Sequence, residues 1–307
     1  MTEPAAAPVA FRCSDGALER GDAKYATAAP AERLLLIEQA GPWGRDAVRE
    51  SRLDPAVVDN VLTRATAAHA RVLLIRRVGR RRVGPRAWAV VDTRAGRSRS
   101  WWGAFSADEE LLDLPLDGSA GQPSDEPAYL VCTHGRHDVC CAIRGRPVAA
   151  ALAAHRPQQT WECSHVGGDR FAANLVVVPY GLYYGHVTPV DVAELVRDTE
   201  AGLVQPRLLR GRTSLSGPEQ AAQHHVRLAL DERRIEALSP VETEALGAQR
   251  WRVRISVEES AGEAGAVEVV VHAEATRIPA RLTCAGVGAG TVRTYALESI
   301  TEVGRQA

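Results

Sequence analysis

Two short runs inside residues 132–174 restrict this chain more than anything else in it. They read Cys132-Thr-His-Gly-Arg-His-Asp-Val-Cys140-Cys141 and Cys163-Ser-His165-Val-Gly-Gly-Asp169-Arg-Phe-Ala-Ala-Asn174. The whole chain has 6 cysteines and 9 histidines, yet Cys132, Cys140, Cys141, Cys163, His134, His137 and His165 all fall here. A single cysteine is ordinarily a small buried hydrophobe. Thiolates and imidazoles gathered at two strand ends instead suit a transition metal or an iron–sulfur cluster. Whatever fold forms must carry those two ends to one place.

The flanking pattern gives the order of elements. Residues 128–132 read as a strand entering a Gly-containing loop, and Pro147 opens a helix over 148–155, in the first-turn position proline tolerates. Residues 160–163 form a short strand. Residues 174–179 are a continuous apolar one, hence buried on both faces. After a turn at Tyr180-Gly181 comes strand 182–187. Thr188-Pro189 then starts a helix that runs to 201 and stops at Gly202. Strand, helix, strand, strand, strand, helix is the order of a thioredoxin-like unit, with ligands expected at the ends of its first two strands.

An earlier segment repeats that order without the cysteines. Strand 34–38 leads to Gly41-Pro-Trp-Gly44, a helix follows over 55–70, then strands 71–77 and 87–92. Residues 98–105, with Trp101-Trp102-Gly103, match the position of Tyr183-Tyr184-Gly185. The fold expected is therefore α/β: tandem thioredoxin-like units, the first degenerate, with a small C-terminal α+β appendage. The divisions are 1–110, 125–205 and 206–307, and the Gly/Pro/Ser-rich, acidic stretch 106–127 reads as a linker. In the appendage a helix begins after Ser216 and runs over 218–234, and residues 251–257 and 267–273 alternate as strands. Cys284 stands alone there and reads as packing.

Charge and composition exclude more than they assign. A formal net charge of -1 gives no electrostatic case for nucleic acid. Lys24 is the sole lysine among 37 basic residues, so arginine runs such as Arg80-Arg81-Arg82 read as solvated turns. No stretch approaches the roughly 20 apolar residues that span a bilayer, and residues 1–10 lack the pattern of a signal peptide. A cytoplasmic location is expected, where clustered thiols stay reduced and bind metal or do redox work.

The run Cys132-Thr-His-Gly-x-x-Asp138-x-x-Cys141, with Ser164-His165-x-Gly-Gly-x-x-Phe-Ala-x-Asn174 and the following Tyr-Tyr-Gly, resembles the sucrase/ferredoxin-like family. These are thioredoxin-like [2Fe–2S] proteins. Gly41-Pro-Trp-Gly44 and Leu209-Arg-Gly-Arg212 extend the likeness over most of the chain. The resemblance implies a cluster held by two cysteines of the first loop and two histidines spaced like residues 165 and 169. Cys132, Cys141 and His165 match, but position 169 is aspartate. Softness favours Cys163 as the fourth ligand, with Asp169 the alternative; Cys140 is a neighbour of Cys141 or a substitute for it. Around them, Gly167 and Gly168 would allow close backbone approach, with His134 and Asp138 (and Arg136 and His137) as supporting groups.

An electron carrier or redox sensor needing a protein redox partner is the function this implies. A thiol-dependent redox enzyme and a structural zinc protein compete with it, since Cys/His sets suit zinc equally. Against the thiol enzyme, the Cys-x-x-Cys spacing is absent. Sucrose hydrolysis would want two positioned carboxylates, and no spacing singles out such a pair. His134 and His137 otherwise read as loop histidines satisfied by backbone, His186 as a strand or core residue, Arg170 as a surface cation, and His224-His225 as no metal site.

Overall fold

The structure is a computed structural model that describes residues 11–79, 84–258 and 264–303. The segment 1–10 and the run Arg80-Arg81-Arg82 lie outside the described residues. After helix α1 (Cys13–Arg20), the chain lays down β1 (Arg33–Glu38), α2 (Pro55–Ala67), β2 (Ala70–Arg76), β3 (Arg86–Asp92), β4 (Arg99–Phe105) and β5 (Gln122–Ser124). Asp54 caps α2, accepting from the Ala56 and Val57 amides, with Pro55 at the first position. Val57, Val58, Val61 and Ala65 are its buried residues, and β1 is buried along nearly its whole length, as its unbroken Leu34-Leu-Leu-Ile run requires.

The second half repeats the connectivity: β6 (Ala128–Cys132), α3 (Val139–His155), β7 (Thr160–Cys163), β8 (Leu175–Val178), β9 (Leu182–Tyr184), α4 (Val192–Glu200) and β10 (Leu209–Arg212). In both halves the first strand pairs in parallel with the second and antiparallel with the third, and the fourth is antiparallel to the third. The halves meet where β2 pairs antiparallel with β7, Ile75 opposite Cys163 and Arg76 opposite Glu162. The result is one mixed ten-stranded sheet in the order β10-β9-β8-β6-β7-β2-β1-β3-β4-β5. At the seam Arg76 Nε donates to Glu162 Oε2 at 2.6 Å, with both residues buried.

One face of this sheet is a core to which both halves contribute, from Leu34, Leu36, Leu73 and Ile75 across to Leu130, Trp161 and Tyr183. The other face is covered separately, by α2 in the first half and by α3 and α4 in the second. Cys132, Cys141 and Cys163 belong to the shared layer, at its end.

Several expectations need correction. Helix α3 begins at Val139 and runs through Pro147. The missing proline N–H removes one bond, which the Asp138 cap and the burial of Val148, Ala149 and Leu152 outweigh. The expected linker is partly built into the sheet: β5 pairs with β4, and Leu111 and Leu114 are buried. The C-terminal part is larger than the two strands read from alternation. Helix α5 (Gly217–Leu230), capped by the Ser216/Glu219 box, packs on a meander of β11 (Leu238–Gly247), β12 (Arg250–Glu258), β13 (Ala264–Ile278) and β14 (Gly290–Val303). Among the described residues no helix is long and apolar enough to cross a membrane.

Candidate metal centre

The site starts where β6 ends. Cys132 closes the strand, the chain turns through Thr133–His137, and Asp138 caps α3 by accepting from the Cys140 amide at 2.8 Å. Cys141 lies in the first turn. One turn later Gly145 passes so close to β6 that a Cβ there would lie 2.1 Å from the Cys132 carbonyl oxygen. Residues four apart share a helix face, so the face pressed on Cys132 is the one that carries Cys141. A glycine at 145 is what allows that approach.

The second ligand strand is fixed as firmly. Ser164 is tied to Leu74 in both directions, its amide donating to the carbonyl at 2.8 Å and its hydroxyl accepting from the amide at 3.0 Å. Arg71 donates to the carbonyls of His165 and Val166 at 2.9 and 3.1 Å. Gly167 and Gly168 then adopt φ of 92° and 76°, the left-handed region open to glycine, and a 3-10 turn over Asp169–Phe171 folds Asp169 back towards His165.

Ligand atoms of Cys132, Cys141 and His165 converge within 4.8 Å of one another. Asp169 Oδ1 lies 3.2 Å from Cys141 Sγ and 3.1 Å from His165 Nδ1. A second, overlapping group joins His137, His165 and Asp169; the two imidazoles stack at 3.6 Å and 18°. Both cysteines are wholly buried and Asp169 nearly so, while the histidines form a partly exposed rim. His165 Nδ1 is a buried nitrogen with Asp169 Oδ1 3.1 Å away.

Charge is polarised across this group. A hydrogen bond from Cys141 holds the Cys132 thiol well below its usual range against the cost of burial, and His165 adds to this. The Cys141 thiol is pushed up by donating to Cys132 and by burial. Burial opposes a charge on His165, but Asp169 and Cys132 carry it up to about 9. Burial likewise opposes the Asp169 carboxylate, which His165 keeps lowered. Two buried sulfurs, an imidazole and a carboxylate form a donor set that fits a metal or a cluster.

Cys163 stands opposite Cys132 in the parallel ladder but is not in the converging group; it is fully buried, and burial pushes its thiol up. Cys140 leaves the helix on another side, towards Cys13 and Cys284. Asp138 faces that same cluster, accepting from the Cys284 amide at 2.6 Å. Cys284 is therefore not a lone cysteine. His134 is satisfied by backbone, its Nε2 against Gly44 O at 2.6 Å and its Nδ1 accepting from the His165 amide at 3.3 Å. His137, read as a loop residue, is the ring stacked on His165.

Gly168 makes room for an arginine: a Cβ there would meet Arg210 Nη2 at 2.4 Å. The buried Arg210 donates to Gly167 O and Asn174 Oδ1, both at 2.8 Å, and braces the loop from behind. Arg170 is no free surface cation; it is largely buried and lies 3.2 Å from Asp22. His186 sits outside β9 at φ 56°, edge-on to Phe171. Tyr183 and Tyr184 are sheet packing, and His224 stacks on Tyr25 at 4.2 Å.

The model of the sucrase/ferredoxin-like family matches residues 25–211. Altered inheritance of mitochondria protein 32 from Candida glabrata is 30% identical over 126 residues, covering 36% of this chain and 40% of that protein. The chain thus spans about two fifths of the length of that curated relative. No solved structure matches.

Proposed function

This chain belongs to the sucrase/ferredoxin-like family, and from that premise we propose that it is an iron–sulfur protein that carries electrons or senses redox state. Cys132, Cys141 and His165 would hold a [2Fe–2S] cluster, with Asp169 as the fourth ligand in preference to Cys163. The observation that carries this reading is the convergence of the buried Cys132 and Cys141 sulfurs and a His165 ring nitrogen within 4.8 Å of one another. Asp169 is favoured because its carboxylate already touches both Cys141 and His165. Cys163 is softer but stands outside the group.

Each half orders its first four strands as second, first, third, fourth, with the third antiparallel. That supports reading them as two thioredoxin-like units, the ligand-bearing one over about residues 125–205, with the C-terminal meander as an appendage. In the first unit, the loop equivalent to the ligand loop is filled by Trp43, buried under Arg76, whose guanidinium lies 4.0 Å from the ring.

When bound, a cluster with mixed ligands has a higher reduction potential than an all-cysteine one, and its imidazole can couple electron and proton transfer. The chain's own groups do the rest. Gly145 sets the Cys132–Cys141 approach, Arg71 and Arg210 hold the 165–168 loop, and β6 and α3 exclude water from the sulfurs. The His137/His165 rim is the partly exposed edge at which a protein redox partner would exchange electrons.

An anaerobic preparation tests this by absorption and EPR, with iron and acid-labile sulfide counted per chain. About two of each, with a reduced-state signal of mixed-ligand type, is the expected result. A colourless protein with zinc bound at Cys132 and Cys141 would replace it with the structural-zinc reading.

A further inference from the structure

Cysteines from three distant parts of the chain meet on the other side of α3. Cys140 Sγ lies 3.2 Å from Cys284 Sγ, and Cys13 Sγ lies 3.6 Å from Cys284 Sγ. Asp138 Oδ1 and Oδ2 are 3.6 and 3.7 Å from Cys13 Sγ. One ligand atom from each of Cys13, Asp138, Cys140 and Cys284 fits within 4.8 Å of the others. Cys13 and Cys140 are wholly buried, Asp138 is 3% exposed, and Cys284 is at the edge.

We propose that these four residues are a second metal site, independent of the cluster, which holds one zinc ion through three thiolates and the Asp138 carboxylate. Tetrahedral zinc with Zn–S of about 2.3 Å sets sulfurs about 3.8 Å apart. The observed separations are near that edge and well beyond a disulfide bond of about 2.05 Å. Apolar packing alone would gather three thiols, but it would not bury a carboxylate among them. The surroundings are those of sulfur ligands: the Cys13 amide lies 3.5 Å from Cys284 Sγ, and the Ser14 hydroxyl donates to Cys140 Sγ at 3.3 Å. Asp138 is oriented by the amides of Cys140 and Cys284. On binding, each thiol releases its proton to solvent as its sulfur takes up the ion, with no change of oxidation state.

The placement assigns the ion a task. Cys13 comes from α1, Cys140 from the first turn of α3, and Cys284 from the connection between β13 and β14. One ion would tie the N-terminal helix and the C-terminal meander to the helix that carries Cys141.

The test is metal analysis of the full chain produced with zinc and iron supplied, for wild type, Cys284→Ser and Cys132→Ser. The expected result is about one zinc per chain in wild type and in Cys132→Ser, at least a fivefold loss in Cys284→Ser, and iron retained in Cys284→Ser. Wild type needs no variant to fold: alkylation mapped by peptide mass is expected to modify Cys13, Cys140 and Cys284 at least tenfold faster once a chelator removes zinc. Zinc retained in Cys284→Ser, zinc lost with Cys132→Ser, a Cys140–Cys284 disulfide, or alkylation indifferent to the chelator would each overturn the second site. The alkylation of Cys13, Cys140 and Cys284 with and without chelator reads the second site whether iron, zinc or nothing is found at Cys132, so its failure is distinguishable from failure of the cluster reading.

Discussion

Asp169 Oδ1 stands 3.1 Å from His165 Nδ1, four residues further along the chain and turned back through two left-handed glycines. A carboxylate thereby closes on the imidazole and, through the same oxygen, on Cys141 Sγ at 3.2 Å. Removing it separates the two candidates for the fourth ligand. Asp169→Ala is expected to lower iron from about two per chain to below a quarter of that, whereas Cys163→Ser keeps most of it. Retention in the alanine variant with loss in the serine variant would reverse the assignment.

Gly145 sets the distance between α3 and β6. Gly145→Ala must push the helix away from the Cys132 carbonyl, because its Cβ would lie 2.1 Å from that oxygen. A loss of about 1–3 kcal/mol in denaturant unfolding is expected, as for other overpacked contacts. Cys141 should at the same time become easier to alkylate. Unchanged stability and reactivity would show that the helix is not held by this contact.

The seam between the halves rests on a buried ion pair, Arg76 with Glu162. Arg76→Met leaves the Glu162 carboxylate buried without that partner and is expected to cost about 3–5 kcal/mol. Combining it with Glu162→Leu should recover much of that loss, since a desolvated pair contributes little beyond its apolar replacement. Urea midpoints for the two single variants and the double variant decide it; additive losses would contradict the account.

Burial holds His224 down to about 4 and His186 likewise. Both folded values lie below the unfolded value of about 6.5, so the unfolded chain binds more protons between about pH 4 and 6.5. Their contribution to stability is complete above about pH 6.5 and is lost as pH falls through that window. After discounting for partial exposure, each should account for about 1 kcal/mol between pH 7 and 5. Urea midpoints for wild type and His224→Phe measure it; equal pH dependence in both would remove His224 from the explanation.

Much of this was legible in the residues. The apolar run 175–178 announces a strand buried on both faces, and the match of strand 34–38 to 128–132, with the elements after each, points to two halves of one connectivity. That Cys132, Cys141 and His165 come together was readable because their spacing is local. Cys163 stands in register with Cys132 on the same face, but it is not among the converging atoms, a relation that spacing along the chain does not show. Cys13 and Cys284 left no signal, since residues that meet across 271 positions have no spacing to read. The start of α3 was hidden behind Gly145 and Pro147, two residues that usually end helices; the Asp138 cap was the sign to weigh against them. Strands β11 and β14 were missed because their outward faces are too exposed and irregular to alternate cleanly.

Cys140 and Cys141 follow one another on α3, and consecutive helix positions point about 100° apart. Each sulfur is moored in a different group, so the azimuth of this helix is set from two sides at once. A roll about its axis that drew Cys141 deeper towards Cys132 would draw Cys140 away from Cys284, whose sulfur lies 3.2 Å from its own. The first turn of α3 is thus a pivot with a sulfur on either side, one facing Cys132 and the other facing α1 and the β13–β14 connection.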